Sequence, residues 1–290
     1  EPSAFTKISM AQIKTTEPDD EAQEILNTWR IIFEQKYSEE LDRFALYEED
    51  VFGFEVQWKY LKNTPLHSIF PNNPIKSLEL GNQVIREQFQ TRNSRTRPVI
   101  RIIGFDDEFS YLLEDVRTRD RGRLLSFNCI ITNLDTPMGW LKRSQYVCNQ
   151  CGSTWSVRQS LARERERSSH CSMCAVTYYE EMKKTEGKAK IPPPNDVSMV
   201  VEANVYEDIQ YLELTCPVML AKNCDDETKN PLFHYLAVVN DEYVGTFSLN
   251  QEVTVNAWVE LDHLPNRDFA MDTRRVFIFK VHSIESGFKE

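Results

Sequence analysis

Glycine is scarce in this chain, with nine in 290 residues. A loop that wraps backbone around a nucleotide phosphate needs several of them close together. The only Gly-Lys pair is Gly187–Lys188, and the position five residues before Gly187, where a phosphate-binding loop needs a second glycine, holds Met182. Neither a Gly-x-Ser-x-Gly elbow nor a His-Glu-x-x-His metal helix occurs. The five histidines (His67, His170, His234, His263, His282) are far apart. These absences argue against an enzyme and predict no catalytic residues. Long apolar runs are missing too. Those present, such as Leu124–Leu125 and residues 276–279, are only a few residues long, where a bilayer crossing takes about 20 residues. No basic start leads into an apolar stretch, so neither a secretory signal nor a membrane partner is expected.

The seven cysteines form an odd set. Four stand in two tight pairs, and Cys129, Cys216 and Cys224 are scattered. That is poor arithmetic for a disulfide scaffold, and a chain of this length needs no stapling. A reducing compartment with a metal site fits better. The pairs read Cys148-x2-Cys151-x19-Cys171-x2-Cys174. Two intervening residues let both sulfurs of a pair reach one ion, and the long loop brings the second pair opposite. Gly152 supplies a tight turn after Cys151. Four thiolates leave no open coordination position, so the spacing predicts structural Zn2+ rather than a catalytic ion. His170 adjoins Cys171 as a bystander, because the set is already complete.

Charge is uneven along the chain. Residues 1–60 carry 6 Lys/Arg against 14 Asp/Glu, 61–191 carry 21 against 14, and 192–290 carry 7 against 17, summing to −11. The basic middle is either a polyanion footprint or a solvated face. Arg117, Arg119, Arg121 and Arg123, with Lys142 and Arg143, are candidate phosphate contacts. Arg158 and Arg163 join them from the loop between the cysteine pairs, where Glu164 and Glu166 alternate with arginines.

Residues 1–20 read as a polar, acidic tail. Ile25, Trp29, Ile32, Phe33 and Tyr37 recur at helical steps, and residues 75–90 do so again, so 21–95 is expected to be a helical subdomain. After Pro98 the texture becomes β-branched. Residues 99–103, 124–132, 198–203, 211–215, 235–239, 252–261 and 275–283 read as strands of an antiparallel barrel or sandwich. Gln145–Val147 leads into the cysteine pairs as a strand, and residues 176–179 leave them as another.

Three stretches resemble the N-terminal domain of the minichromosome maintenance (MCM) helicase family. They are Val99-Ile100-Arg101-Ile102-Ile103 followed by Leu113, Val116 and Arg117; Gly122-Arg123-Leu124-Leu125-Ser126-Phe127-Asn128-Cys129-Ile130-Ile131-Thr132 with Tyr146-Val147-Cys148-Asn149-Gln150-Cys151-Gly152; and the run from Leu249 to Val259. Cys129 and Ala257 stand where that family commonly has glycine, Asn250 and Gln251 replace its Gly-Asp turn, and its Arg-His stretch is reduced to His234–Tyr235. The resemblance implies an α+β chain: an OB-fold barrel in 96–146 and 176–290, after the helical subdomain, with a zinc-binding insertion at 147–175. It implies a ring-forming module that binds DNA and contacts neighbouring subunits through zinc lobes. Because the chain does not run on into an ATPase domain, it is similar to the stand-alone meiosis-specific MCM-like proteins of flies. The expected role is then that of a non-catalytic nuclear subunit. It would bind DNA, assemble with MCM-like partners including one with an ATPase-like domain, and promote crossovers in meiotic recombination. The alternatives are the N-terminal part of a replicative MCM helicase, a protein-interaction scaffold, and a single-strand-binding OB protein using Trp140, Tyr146 or Trp155 for stacking.

Overall fold

A computed structural model describes residues 20–47, 50–71, 73–161, 165–185, 191–217, 234–263 and 274–288. Residues 1–19 of the expected tail, Arg163 and Cys224 lie outside them, while Asp20 already belongs to the first helix. The chain divides into two compact units, Glu1–Asp106 and Asp107–Glu290.

The first unit is built on helices α1 (Asp20–Lys36), α2 (Ser38–Phe44), α3 (Leu66–Ile69) and α4 (Pro74–Thr91). Helix α1 starts on Asp20 and Glu21 and ends on Lys36, complementing its dipole at both ends. Its buried stripe is Ile25, Thr28, Trp29, Ile32 and Phe33. Helix α4 opens with Pro74 in its first turn, where the missing N–H costs nothing. It meets α1 at Gly81, where a Cβ would fall 2.8 Å from the Trp29 indole and 2.8 Å from Ile100 Cδ1.

This unit also holds a two-stranded parallel sheet. Strand β1 (Val51–Gln57) pairs with β2 (Arg97–Ile103) in the register Val51 to Arg97 through Gln57 to Ile103. Parallel strands need a long crossover, and α3 and α4 supply it. Residues 97–103, expected in the barrel, therefore pair inside the first unit.

The second unit is an OB-type barrel of five strands: β3 (Leu124–Leu134), β7 (Val205–Thr215), β8 (Tyr235–Asn240), β9 (Glu252–His263) and β10 (Arg275–Ser286). The ring runs β3–β9–β10–β8–β7 and closes through β3–β7. All pairs are antiparallel except β8–β10. Alternate residues fill the interior: Leu125, Phe127, Cys129 and Ile131 of β3, Leu212 and Leu214 of β7, Val253, Val255, Ala257 and Val259 of β9, and Phe279 and Val281 of β10. This period of two is why these strands were readable. Cys129 and Ala257 both face this core without solvent exposure.

Between β3 and β7 the chain leaves the ring. It forms β4 (Met138–Cys148), β5 (Thr154–Arg158), helix α5 (Ser172–Lys184) and β6 (Val197–Met199). Strand β4 pairs with β7, β5 and β6, extending the barrel sheet into a lobe. The excursion is thus longer than the expected 147–175. Residues 176–179 are helical, not a strand. Val176, Thr177 and two tyrosines favour a sheet, but Met173, Ala175, Glu180, Glu181 and Met182 favour a helix. Lys183 and Lys184 sit in the last turn, where cations are stabilised.

Candidate metal centre and basic surface

The first cysteine pair is made by a strand end and a turn. Cys148 closes β4, its N–H donates to Ser153 O at 2.9 Å, and Gly152 N–H returns to Cys148 O at 2.9 Å. Gly152 has φ +73°, the left-handed conformation that glycine adopts without strain. The second pair is built differently. Cys171 is the N-cap of α5 and Cys174 lies in its first turn, so three-residue spacing puts both on one helix end. The proline run straps the two together: Cys171 N–H donates to Pro194 O (2.8 Å), Gln150 Nε2 to Pro193 O (2.8 Å) and Asn149 N–H to Asp196 O (3.0 Å).

The four sulfurs lie within 4.8 Å of one another. Cys148 Sγ is 3.7 Å from Cys174 Sγ, and Cys151 Sγ is 3.7 Å from Cys171 Sγ. A tetrahedron with metal–sulfur bonds of about 2.3 Å has edges of about 3.8 Å. A disulfide would need about 2.05 Å. The four cysteines can therefore hold one tetrahedral metal ion. Cys148 and Cys171 are buried, whereas Cys151 is exposed. The thiols split in acidity: hydrogen bonds to Ser153 draw Cys151 down to about 6, while the hydrogen bond with Cys151, then burial, push Cys174 up to about 12. His170 is exposed and turns to Ser169, so it stays outside the sulfur cluster.

The lobe has its own packing. Tyr146 stacks on Trp155 at 6.1 Å between centroids and 16° between planes. Trp155 Nε1 donates to Ser168 Oγ at 3.0 Å, and buried Gln159 donates to Ser144 Oγ at 2.8 Å. Tyr146 is buried and thus not available as a stacking surface; Trp140 and Trp155 are half-buried.

The arginine run before β3 is organised by a residue that sequence reasoning passed over. Asp120 has a fully shielded side chain. It accepts the Arg117 N–H at 2.9 Å, pairs with Arg123 Nη1 at 2.7 Å, and lies 3.9 Å from Arg119 Nε. Burial pushes its carboxyl up, but the Arg117 N–H and the Arg123 guanidinium outweigh it and hold the group below its usual value. Arg117 Nη1 donates to Glu114 O and Val116 O, closing its own turn. Arg121 is exposed beside Gly122, whose φ of +78° lets its N–H reach Val259 O at 2.7 Å. Only an Asp buried by this β9 contact becomes a hub, so no local signal marks it.

The other candidates sit on the lobe. Lys142 is paired with Glu207, whose side chain is buried. Arg143 on β4 and Arg158 on β5 are exposed and stand directly opposite each other.

With this geometry in place, a comparison with solved structures finds the N-terminal domain of an archaeal MCM, with a TM-score of 0.66 over 92% of this chain and 100% of that one. The chain has an MCM N-terminal fold. Sequence identity across that match is 16%, so the likeness is one of fold. Neither a protein-family model nor a curated protein matches the sequence. Among the described residues, no helix is long and apolar enough to cross a membrane.

Proposed function

We propose that this chain is a non-catalytic MCM-like subunit that binds DNA and assembles with MCM-like partners, one of which carries the ATPase-like domain. The observation that carries the reading is the splice itself: a four-cysteine lobe inserted between the first and second strands of an OB barrel, in the fold of an archaeal MCM N-terminal domain. OB barrels are a common platform for oligonucleotides. The four sulfurs suit zinc, which accepts four thiolates in a tetrahedron. Cys148, Cys151, Cys171 and Cys174 would hold it, and bound zinc would supply lobe rigidity and no reaction chemistry. A phosphate backbone would meet Arg119, Arg121, Arg123, Arg143 and Arg158, all of them solvent-exposed. A nuclear location belongs to the same reading and rests on the sequence resemblance. The meiotic part of the reading, in crossover promotion, rests on the sequence resemblance to stand-alone fly proteins.

Fluorescence anisotropy with labelled oligonucleotides at low salt tests the reading. Saturable binding that weakens as salt rises is expected. No binding at 50 mM salt, with an ATPase-bearing partner still recovered by pull-down, would favour the pure scaffold instead.

A further inference from the structure

We infer that the metal centre is also a peroxide-sensitive latch: Cys151 is the ligand oxidised first, Cys171 closes a disulfide onto it, and helix α5 loses its anchor as the ion leaves. The inference rests on the zinc reading of the four cysteines and goes beyond the DNA-binding one.

The sulfur cluster is sealed on one side and open on the other. Cys148 and Cys171 are buried, Cys174 is half-buried, and Cys151 alone of the four is exposed. A cleft of about 460 Å3 reaches the open side, walled by Gln150, Cys151, Ser153, Met173, Cys174 and Thr177. A small solute such as hydrogen peroxide therefore meets the Cys151 sulfur before the other three. A cysteine that ligates a metal is deprotonated outright, and the thiolate is the form that peroxides oxidise. The exposed sulfur lies 3.7 Å from Cys171 Sγ in the opposite pair. A disulfide needs about 2.05 Å, so a short approach of the two side chains suffices once no ion stands between them.

The Cys151 thiolate attacks one peroxide oxygen, the O–O bond breaks, and hydroxide leaves, giving the sulfenic acid. The Cys171 thiolate then attacks the Cys151 sulfur, the S–O bond breaks, and a second hydroxide leaves as the S–S bond forms. Two thiolates lose two electrons, one peroxide gains them, and two solvent protons turn both hydroxides into water. Two of the four ligands are consumed, and Cys148 with Cys174 no longer completes a tetrahedron. The consequence falls on α5. This helix buries none of its own residues, and Met173, Val176 and Tyr179 turn to solvent. With so little packing, its attachment leans on the shared ion and on the Cys171 N–H bond to Pro194 O. Disulfide closure removes the first and pulls on the second.

The test treats the full, zinc-loaded chain with hydrogen peroxide. Released zinc is read with a chromogenic chelator, cysteine modification by peptide mass spectrometry at timed points, and lobe integrity by limited proteolysis. Loss of the bound zinc is expected, with Cys151 modified first, a Cys151–Cys171 link as the product, and new cleavage between β5 and β6. Cys151→His, a replacement that zinc accepts, is expected to abolish the release, and Cys174→His to keep it. If either variant fails to hold zinc, the order of modification in the wild type decides. Zinc retained through the treatment, a first oxidation at Cys174, a different disulfide pairing, release from Cys151→His at the wild-type rate, or a lobe still protease-resistant after the link forms would each overturn the inference and leave the zinc reading standing. A wild-type chain that never holds zinc rejects both.

Discussion

Asp120 Oδ1 lies 2.7 Å from Arg123 Nη1 with its own side chain wholly shielded, while the arginine stays 53% exposed. A buried anion therefore fixes the base of a solvent-facing cation, and its other oxygen caps the turn through the Arg117 N–H. Asp120→Asn keeps the shape and removes the charge. The expected cost is about 1–3 kcal/mol, the range for a buried charged hydrogen-bond partner. Urea unfolding should register it as a lower midpoint with an unchanged m-value. Arg123→Gln and the double variant should fall short of additivity, since they share one contact.

The same group sets an acid limit. Its carboxyl titrates below the ordinary value in the folded chain. Its contribution is therefore complete above the unfolded-state pKa of about 3.9 and is lost as pH falls through the lower, folded value. Thermal melts should show a constant gap between wild type and Asp120→Asn from pH 7 down to pH 5. Below about pH 4, wild type should approach Asp120→Asn. A gap between the two that persists unchanged to pH 2 would count against the pairing.

Cys148 is buried, closes a barrel-derived strand, and contacts Cys174 at 3.7 Å. Cys148→Ser should lower bound zinc from one per chain toward none. Tetrathiolate binding is worth on the order of 10 kcal/mol in zinc-finger peptides, so the lobe should unfold first. Limited proteolysis should cut between β4 and β6 while the barrel core survives. Subunit assembly should fail with the lobe. Intact assembly with selective loss of DNA binding would contradict an architectural role.

Gly81 marks a tight contact within the first unit. An added methyl would sit 2.8 Å from Trp29 and Ile100. Both are buried, so neither has open space to retreat into. Although alanine is the better helix former by up to 1 kcal/mol, Gly81→Ala should be net destabilising by about 1–3 kcal/mol through overpacking. Trp29 fluorescence and a melting curve would register it, and a raised melting temperature would refute it.

What was legible in the sequence was local. The cysteine spacing carried the metal set, because ligand reach is a short-range constraint. Strands β3, β9 and β10 were legible because one face of each is sealed in the barrel, leaving the alternation of Phe127, Cys129 and Ile131 intact. What depends on distant partners was not legible. The parallel pairing of Val51–Gln57 with Arg97–Ile103 is decided by the packing of α4, not by either strand. Helix α5 carries a β-branched and tyrosine stretch, yet the Glu/Lys end prevails. Asp120 reads as one more charge in an ion-pair run until the turn docks against Val259.

Zinc dependence of DNA binding tests the account most directly. Metal content of the purified chain would be measured alongside oligonucleotide affinity, before and after dialysis against a chelator, and again after zinc is restored. The account predicts one zinc per chain, DNA affinity lost with the metal, and recovery on its return. A chain that holds no zinc, or that binds DNA equally well once stripped, would contradict it.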